Sequence, residues 1–130
     1  MLIGQELMTR ILISFKQNVY FFFFLISMNV IKKEFDDIVA RHPSKIPIII
    51  QVDKELEPYY KSKRKVLVFH DYTASELMAF IRMKMKLPAN KGIFLFVNDK
   101  LISGSQRLYD VWDNKNRFMF VKVVQESVFG

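Results

Sequence analysis

Between Ile46 and Val52 the chain is apolar and β-branched, broken only by Gln51. Side chains branched at Cβ lose rotamer freedom in a helix and pack well on a pleated surface, so the run reads as a strand. Pro47 has no N–H to give to a ladder, and it stands only at the start of the run. A strand needs partners, and the flanking sequence supplies them. Asp53 to Ser62 is a charged loop, and Arg64 to His70 reads as a second strand.

Ahead of this pair, Ile31, Phe35, Ile38 and Val39 follow the i, i+4, i+7, i+8 spacing of an amphipathic helix. It should stop near His42, because the residue before Pro43 is pushed out of the helical region. Behind the pair, Thr73-Ala74-Ser75-Glu76 has the spacing of a capping box, with Thr accepting from the amide three residues on and Glu reaching back. The helix it opens carries Leu77, Phe80, Ile81 and Met85 on one side and ends by Pro88. Ile93 to Val97 reads as a third strand and Asn98-Asp99 as a turn. Leu108, Tyr109 and Trp112 suggest a short helix, and Arg117 to Val124 a last strand.

This order implies an α+β sheet packed by one main helix, with a helix in front. It is the succession of a β-grasp domain, although residue types alone leave other α+β folds open. A chain of 130 residues fits one domain, and no repeat or second domain is visible.

Residues 1–27 differ from the rest of the chain and read as a Phe-rich extension, with the domain proper over 28–130. The longest uncharged stretch, Val19 to Ile31, contains Phe21 to Phe24 but also Ser27 and Asn29. It falls short of the roughly 18 to 20 apolar residues that a spanning helix needs. Three readings stay open: an extension that is buried or inserts into a membrane, a signal anchor, and translated upstream sequence with Met28 as the start. Phenylalanine codons are pyrimidine-rich, so a pyrimidine tract would read as consecutive Phe.

The residues offer little to catalysis. His42 and His70 are the only histidines, and neither stands near a serine in a nucleophile motif. Asp36-Asp37 are adjacent on a helix and diverge by about 100°, which makes a poor acid–base couple. No phosphate loop, metal-ligand spacing or dinucleotide fingerprint occurs, and there is no cysteine. The reading is therefore a non-enzymatic protein with no catalytic residues, metal or cofactor. Twenty Lys and Arg against thirteen Asp and Glu leave a net charge of +7, which favours acidic partners or anionic surfaces. Lys61, Lys63, Arg64 and Lys65 form one basic group, and Arg82, Lys84 and Lys86 another. Nucleic acid would call for interleaved exposed aromatics, and the neighbouring Phe69 and Tyr72 look partly structural, so nucleic acid is disfavoured.

Four local sequences point further: Arg41-His42-Pro43-Ser44-Lys45-Ile46-Pro47-Ile48-Ile49, Lys65-Val66-Leu67-Val68, Phe94-Leu95-Phe96-Val97-Asn98 and Glu126-Ser127-Val128-Phe129-Gly130. With Leu108-Tyr109 and Phe118 between the last two, the chain from about Val30 to Gly130 resembles the autophagy-related protein 8 family of GABARAP-like ubiquitin-like modifiers. The related autophagy-related protein 12 type usually ends in Trp-Gly rather than Phe-Gly.

The resemblance implies a ubiquitin-like β-grasp with a four-stranded mixed sheet, one main packing helix and an additional N-terminal helix. It implies that the second strand is a sheet edge accepting a peptide that presents an aromatic residue and, three positions later, an aliphatic one. By position, the aromatic pocket would be Glu34, Ile38, Pro47, Ile49, Lys65, Leu67 and Phe118. The aliphatic pocket would be Val66, Val68, Phe69, Tyr72, Leu77 and Phe80. Lys45 and Lys65 would pair with acidic residues beside such motifs.

It further implies a tail, residues 125–130, coupled through Gly130 to phosphatidylethanolamine by activating and conjugating enzymes. The protein would recruit cargo receptors, in the cytoplasm and on the autophagosome membrane. With Gly130 last, no protease is expected to be needed. The alternative is a β-grasp adaptor that binds peptides and is never conjugated. Val66 stands where the family usually has an aromatic residue and Phe69 where proline is common. The family's own first helix has no recognisable counterpart, since the Phe-rich extension takes its place.

Because the helix-to-strand pattern is complete without residues 1–27, a chain starting at Met28 is expected to unfold cooperatively with an unchanged melting temperature. Calorimetry of the truncated and full-length chains checks this, and a large fall in the truncated protein would place the Phe run in the core.

Overall fold

The computed structural model describes residues 25–126. Two units are distinguished, residues 1–34 and residues 35–130, and each is described by itself. The described part of the first unit, residues 25–34, is helical and carries exposed Leu25, Ile26, Met28, Val30 and Ile31. The helix (α1) runs over residues 25–41 and stops before Pro43, as the residue preceding proline requires.

The second unit continues with strands β1 (Lys45–Val52) and β2 (Lys65–Phe69), helix α2 (Ala74–Met85), strands β3 (Ile93–Val97) and β4 (Lys100–Leu101), helix α3 (Leu108–Val111) and strand β5 (Met119–Gln125). Among the described residues these strands form one five-stranded sheet in the order β2-β1-β5-β3-β4. β1 pairs antiparallel with β2 and parallel with β5, while β3 is antiparallel to both β5 and β4. The expected count of four strands is thus corrected to five. The added strand follows the Asn98-Asp99 turn, whose two residues both have positive φ (52° and 60°), the geometry of a two-residue hairpin loop that Asn and Asp tolerate. With only two residues, β4 is too short to leave a periodic trace in the sequence. The last strand also starts later than Arg117 and reaches Gln125, which pairs with Ile93. Glu126 then donates its N–H to the Gly92 carbonyl (2.9 Å), so the ladder holds the start of the segment that reads as a tail in sequence. Residues 127–130 lie outside the described residues.

Alternation sorts the sheet into two faces. Ile46, Ile48 and Ile50 on β1, Met119, Val121 and Val123 on β5, and Ile93, Leu95 and Val97 on β3 share one face by register and are all buried. They form one core with Leu77, Ile81 and Met85 of α2 and Leu108 of α3. Phe35, from the last turns of α1, packs edge-on to Trp112 (6.3 Å between ring centroids) and Phe118 (5.6 Å). Leu56 and Tyr60 are buried too, although both sit in the charged segment between β1 and β2. The sequence marks that segment as a loop; its turns drop these two side chains into the core. Tyr60 keeps its hydroxyl satisfied by donating to the Lys63 carbonyl (2.9 Å). Burial pushes its phenol above the usual range, partly opposed by the neighbouring Arg64 charge.

The capping box of α2 is present: Glu76 N–H donates to Thr73 Oγ1 (3.2 Å) and Thr73 N–H to Glu76 Oε1 (3.2 Å). The next two orphan amides, of Ala74 and Ser75, donate to the carbonyls of Gln106 (2.9 Å) and Gly104 (3.0 Å). Thus the loop before α3 closes the start of α2. At the other end Lys86 turns left-handed (φ 55°), and Arg82 donates to the Lys91 (2.6 Å) and Pro88 (3.1 Å) carbonyls, holding the return towards β3.

Replacing Thr73 by Ala removes an acceptor that no neighbour replaces. It should cost about 1 kcal/mol of stability, whereas Thr73→Ser should cost little. Denaturant midpoints of the two variants check this; equal midpoints would show that the box contributes nothing.

Candidate functional site

β2 is an edge of the sheet, and the bonds at its two ends fix which of its peptides look outward. Ile50 N–H donates to the Arg64 carbonyl (2.8 Å) and His70 N–H to the Ser44 carbonyl (3.2 Å). In an antiparallel ladder hydrogen-bonded and non-bonded pairs alternate, so Arg64, Val66, Val68 and His70 turn their backbone groups to β1. Lys65, Leu67 and Phe69 turn theirs away from the sheet; the Phe69 carbonyl already accepts from Tyr72 N–H (3.1 Å).

Pro47 obeys the same parity. It stands opposite Leu67 in a non-bonded pair, and its nitrogen points toward β5 just before that pairing begins at Ile48 and Met119. Its missing N–H therefore removes no ladder bond.

The side chains proposed for an aromatic pocket come together in part. Pro47 lies opposite Leu67, and Ile49 opposite Lys65, on the face away from α2. Lys65 Nζ is 5.9 Å from the Phe118 ring. Leu67 is 39% exposed, Ile38 and Ile49 are half-buried, and Pro47 and Phe118 are buried. The site thus has an apolar floor and an open lip. Glu34, also expected there, falls in the unit of residues 1–34.

The second group is less uniform. Val66 and Val68 point to the α2 side, paired with Ile48 and Ile46. Val66, Tyr72 and Phe80 are half-buried and pack on the core. Leu77 is wholly buried and belongs to that core, and Val68 is nearly so. Phe69 is not with them. It is 54% exposed, shares the face of Lys65 and Leu67, and lies opposite Lys45, whose Nζ stands 5.0 Å from its ring. Period-2 alternation settles this: residue 69 has the parity of 65 and 67, not of 66 and 68.

Positional transfer missed a basic cleft of about 440 Å³ beside Val66, lined by Lys61, Ser62, Lys63, Lys65, Val66, Phe80 and Lys84. The basic runs at its two sides were legible, but not that the fold sets Lys84 of α2 beside Lys61 and Lys63. It also missed the far half of the outer face, where Phe94, Phe120 and Leu101 are exposed.

No group of His, Asp or Glu able to hold a metal occurs among the described residues. His70 stacks on Tyr109 (4.6 Å between centroids, 38° apart), and Asp113 is exposed on the loop after α3. The Asp113 carboxyl is held below its ordinary range, chiefly by a hydrogen bond from the Asn98 side chain.

A mixed sheet in this order, with β1 and β5 parallel at its centre, a main helix on one face and an exposed strand edge, defines a ubiquitin-like protein. Residues 30–130 match the family described as "Autophagy protein Atg8 ubiquitin like", and the chain belongs to that family. Relatives include the autophagy-related protein 8 of Eremothecium gossypii, 32% identical over 102 residues that cover 76% of this chain and 85% of the relative. That of Kluyveromyces lactis is 34% identical (76% and 82% covered), and autophagy-related protein 8e of Arabidopsis thaliana 30% identical (76% and 84%). The crystal structure of Trypanosoma brucei ATG8 superposes with a TM-score of 0.64 at 22% identity, covering 78% of this chain and 90% of that one, which shows the shared fold. The chain is accordingly an autophagy ubiquitin-like protein and not an enzyme. No helix among the described residues is long and apolar enough to cross a membrane.

Proposed function

We infer that this chain is a lipid-conjugated modifier: Gly130 is joined to phosphatidylethanolamine on autophagosomal membranes, and the β2 edge recruits cargo receptors carrying aromatic-x-x-aliphatic peptides. The observation that carries the receptor half is the outward-facing backbone of Lys65 and Leu67, flanked by apolar side chains on both faces of one edge strand. An added strand would take affinity from these backbone groups. Its side chains would take specificity from Ile38, Pro47, Ile49 and Phe118 on one face and from Val66, Tyr72 and Phe80 on the other.

The conjugation half rests on family membership and on the segment Glu126 to Gly130, which resembles the end of the family's chains. Glycine at the coupled position suits an adenylate and thioester route, because no side chain crowds the reacting carbonyl. Activation consumes ATP: the carboxylate attacks the α-phosphorus and releases pyrophosphate to give an acyl-adenylate. An enzyme cysteine then displaces AMP to give a thioester, and the lipid amine displaces the cysteine thiol to give an amide. This route requires as partners the activating and conjugating enzymes of the autophagy pathway, alongside the receptors themselves.

Replacing Leu67 or Lys65 should weaken binding of an aromatic-x-x-aliphatic peptide by about 1 to 3 kcal/mol without loss of fold. Calorimetric titration beside a thermal melt checks this, and wild-type affinity in both variants would move the peptide site away from this edge. With activating and conjugating enzymes, ATP and phosphatidylethanolamine liposomes, a lipid adduct should form with the full chain and not with the chain lacking Gly130. No adduct from either, with enzymes active on another family member, would leave the peptide-binding adaptor that is never conjugated.

A further inference from the structure

If Gly130 is coupled to a lipid, the reading on which this inference rests, the point where the chain leaves the sheet decides which side of the domain meets the bilayer. Glu126 N–H is held by the Gly92 carbonyl (2.9 Å). Its side chain lies over Gly92, where any added Cβ would come within 3.2 Å of the Glu126 Cβ and overlap the carboxylate. The ladder thus carries the chain as far as Glu126, and residues 127–130 separate that point from the lipid. Four residues at full extension span about 14 Å. The seven residues of β5 alone rise about 23 Å. The lipid headgroup is therefore confined to the neighbourhood of Glu126 and cannot reach the other end of the sheet.

The pairing of β1 parallel to β5, with β3 antiparallel, brings Val52, Gln125 and Ile93 to this same end. The segments that join there are residues 53–62 and 86–92. From Leu77 to Asn98 the chain has no Asp or Glu, and Arg82, Lys84, Lys86 and Lys91 all fall within that stretch. Arg82 donates to the Lys91 (2.6 Å) and Pro88 (3.1 Å) carbonyls, which fastens the 86–92 loop to the end of α2. Lys91 in turn donates to the Tyr59 hydroxyl (3.4 Å) and stands 5.3 Å from its ring, so the two segments are joined one residue from Gly92. Beside this contact a cleft of about 480 Å³ is lined by Tyr59, Lys61, Ser62, Lys84 and Lys86 over the buried Met85. Of the acidic residues at this end, Asp53 pairs with Lys122 (3.6 Å), and Glu55 and Glu57 lie outside the cleft lining. Tyr59 is 39% exposed at the mouth, an amphipathic ring of the kind that settles at headgroup level.

We propose that this end of the domain is the face that lies on the bilayer after coupling, and that Lys84, Lys86 and Lys91 hold it there on the phosphates of anionic phospholipids. The short tether brings the face to the surface, and the lysines choose it over the flanks that the tether also permits. In this orientation β2 stands upright. Lys65, opposite Ile49, is its nearer end, and Phe69, opposite Lys45, points away from the membrane, which leaves the edge open along its length.

The chain has no cysteine, so one introduced cysteine carries a fluorophore at a single place. Ala89→Cys labels the 86–92 loop, and Ser105→Cys labels the opposite end; both positions are exposed. Each full-length labelled chain is coupled to phosphatidylethanolamine in liposomes containing either phosphatidylserine or only neutral phosphatidylcholine besides. Access of a water-soluble quencher is then measured. The probe at 89 should be shielded on the anionic liposomes and the probe at 105 should not. The shielding should fade on neutral liposomes and at high salt, because the attraction acts within a Debye length. A lysine near an anionic surface is worth roughly fivefold in the docked population, so Lys84→Glu/Lys86→Glu should abolish the shielding. Equal access at both positions, or shielding at 105 instead, overturns the proposal while the adduct itself keeps the coupling reading. Shielding at 89 that persists on neutral liposomes overturns the role of the lipid phosphates. If no adduct forms with any chain, the coupling reading fails and the proposal with it.

Discussion

The placement of β1 between two different partners governs the rest of the molecule. Its even-numbered peptides bond to β2 and its odd-numbered ones turn to β5, so every backbone group from Ile48 onward has a direction fixed by one register. Pro47 pins that register. A slip by one residue would set its missing donor against β2 and would move Ile46, Ile48 and Ile50 out of the core at the same time. Among the described residues β2 pairs with β1 alone and is therefore an edge, and the parity that β1 sets turns the peptides of Lys65, Leu67 and Phe69 outward.

Charge and aromatic surface are handled together. Lys45 stands over Phe69, Lys84 over Phe80, Lys91 over Tyr59 and Lys115 over Tyr109, each within 4.5 to 5.5 Å of the ring centroid. Such pairs are each worth only about 0.5 to 1 kcal/mol at exposed sites. Their other effect is to cover part of each ring with a lysine stem while the ammonium stays in water. An aromatic-rich chain with a surplus of +7 thereby spreads both properties over the same surface.

What the sequence disclosed depended on how local each cause was. The α2 cap needs four consecutive residues, the Asn98-Asp99 turn two, and the end of α1 a single proline; all three could be read directly. The insertion of β5 between β1 and β3 joins residues about seventy apart in sequence, and no periodicity reports that. Leu56 and Tyr60 were hidden because the residues around them are charged, and burial of a turn residue depends on what the turn packs against. On β2, alternation places Lys65 and Leu67 on one face and Val66 and Val68 on the other, as the register has them. Phe69 was grouped by family position against its own parity, and the structure sides with parity. The cleft beside Val66 joins a loop to the far end of a helix, so each basic run could be seen but not their meeting.

The hairpin ending in β4 has a consequence for crowding. Of the sheet's two borders, one is a five-residue strand and the other only Lys100 and Leu101, too short to template another chain. A sheet with two adhesive borders could stack indefinitely; among the described residues this one has a single border long enough to pair. Two copies meeting through β2 would close on each other and stop. Pairing through the borders of this sheet would therefore end at two copies rather than grow into a fibre.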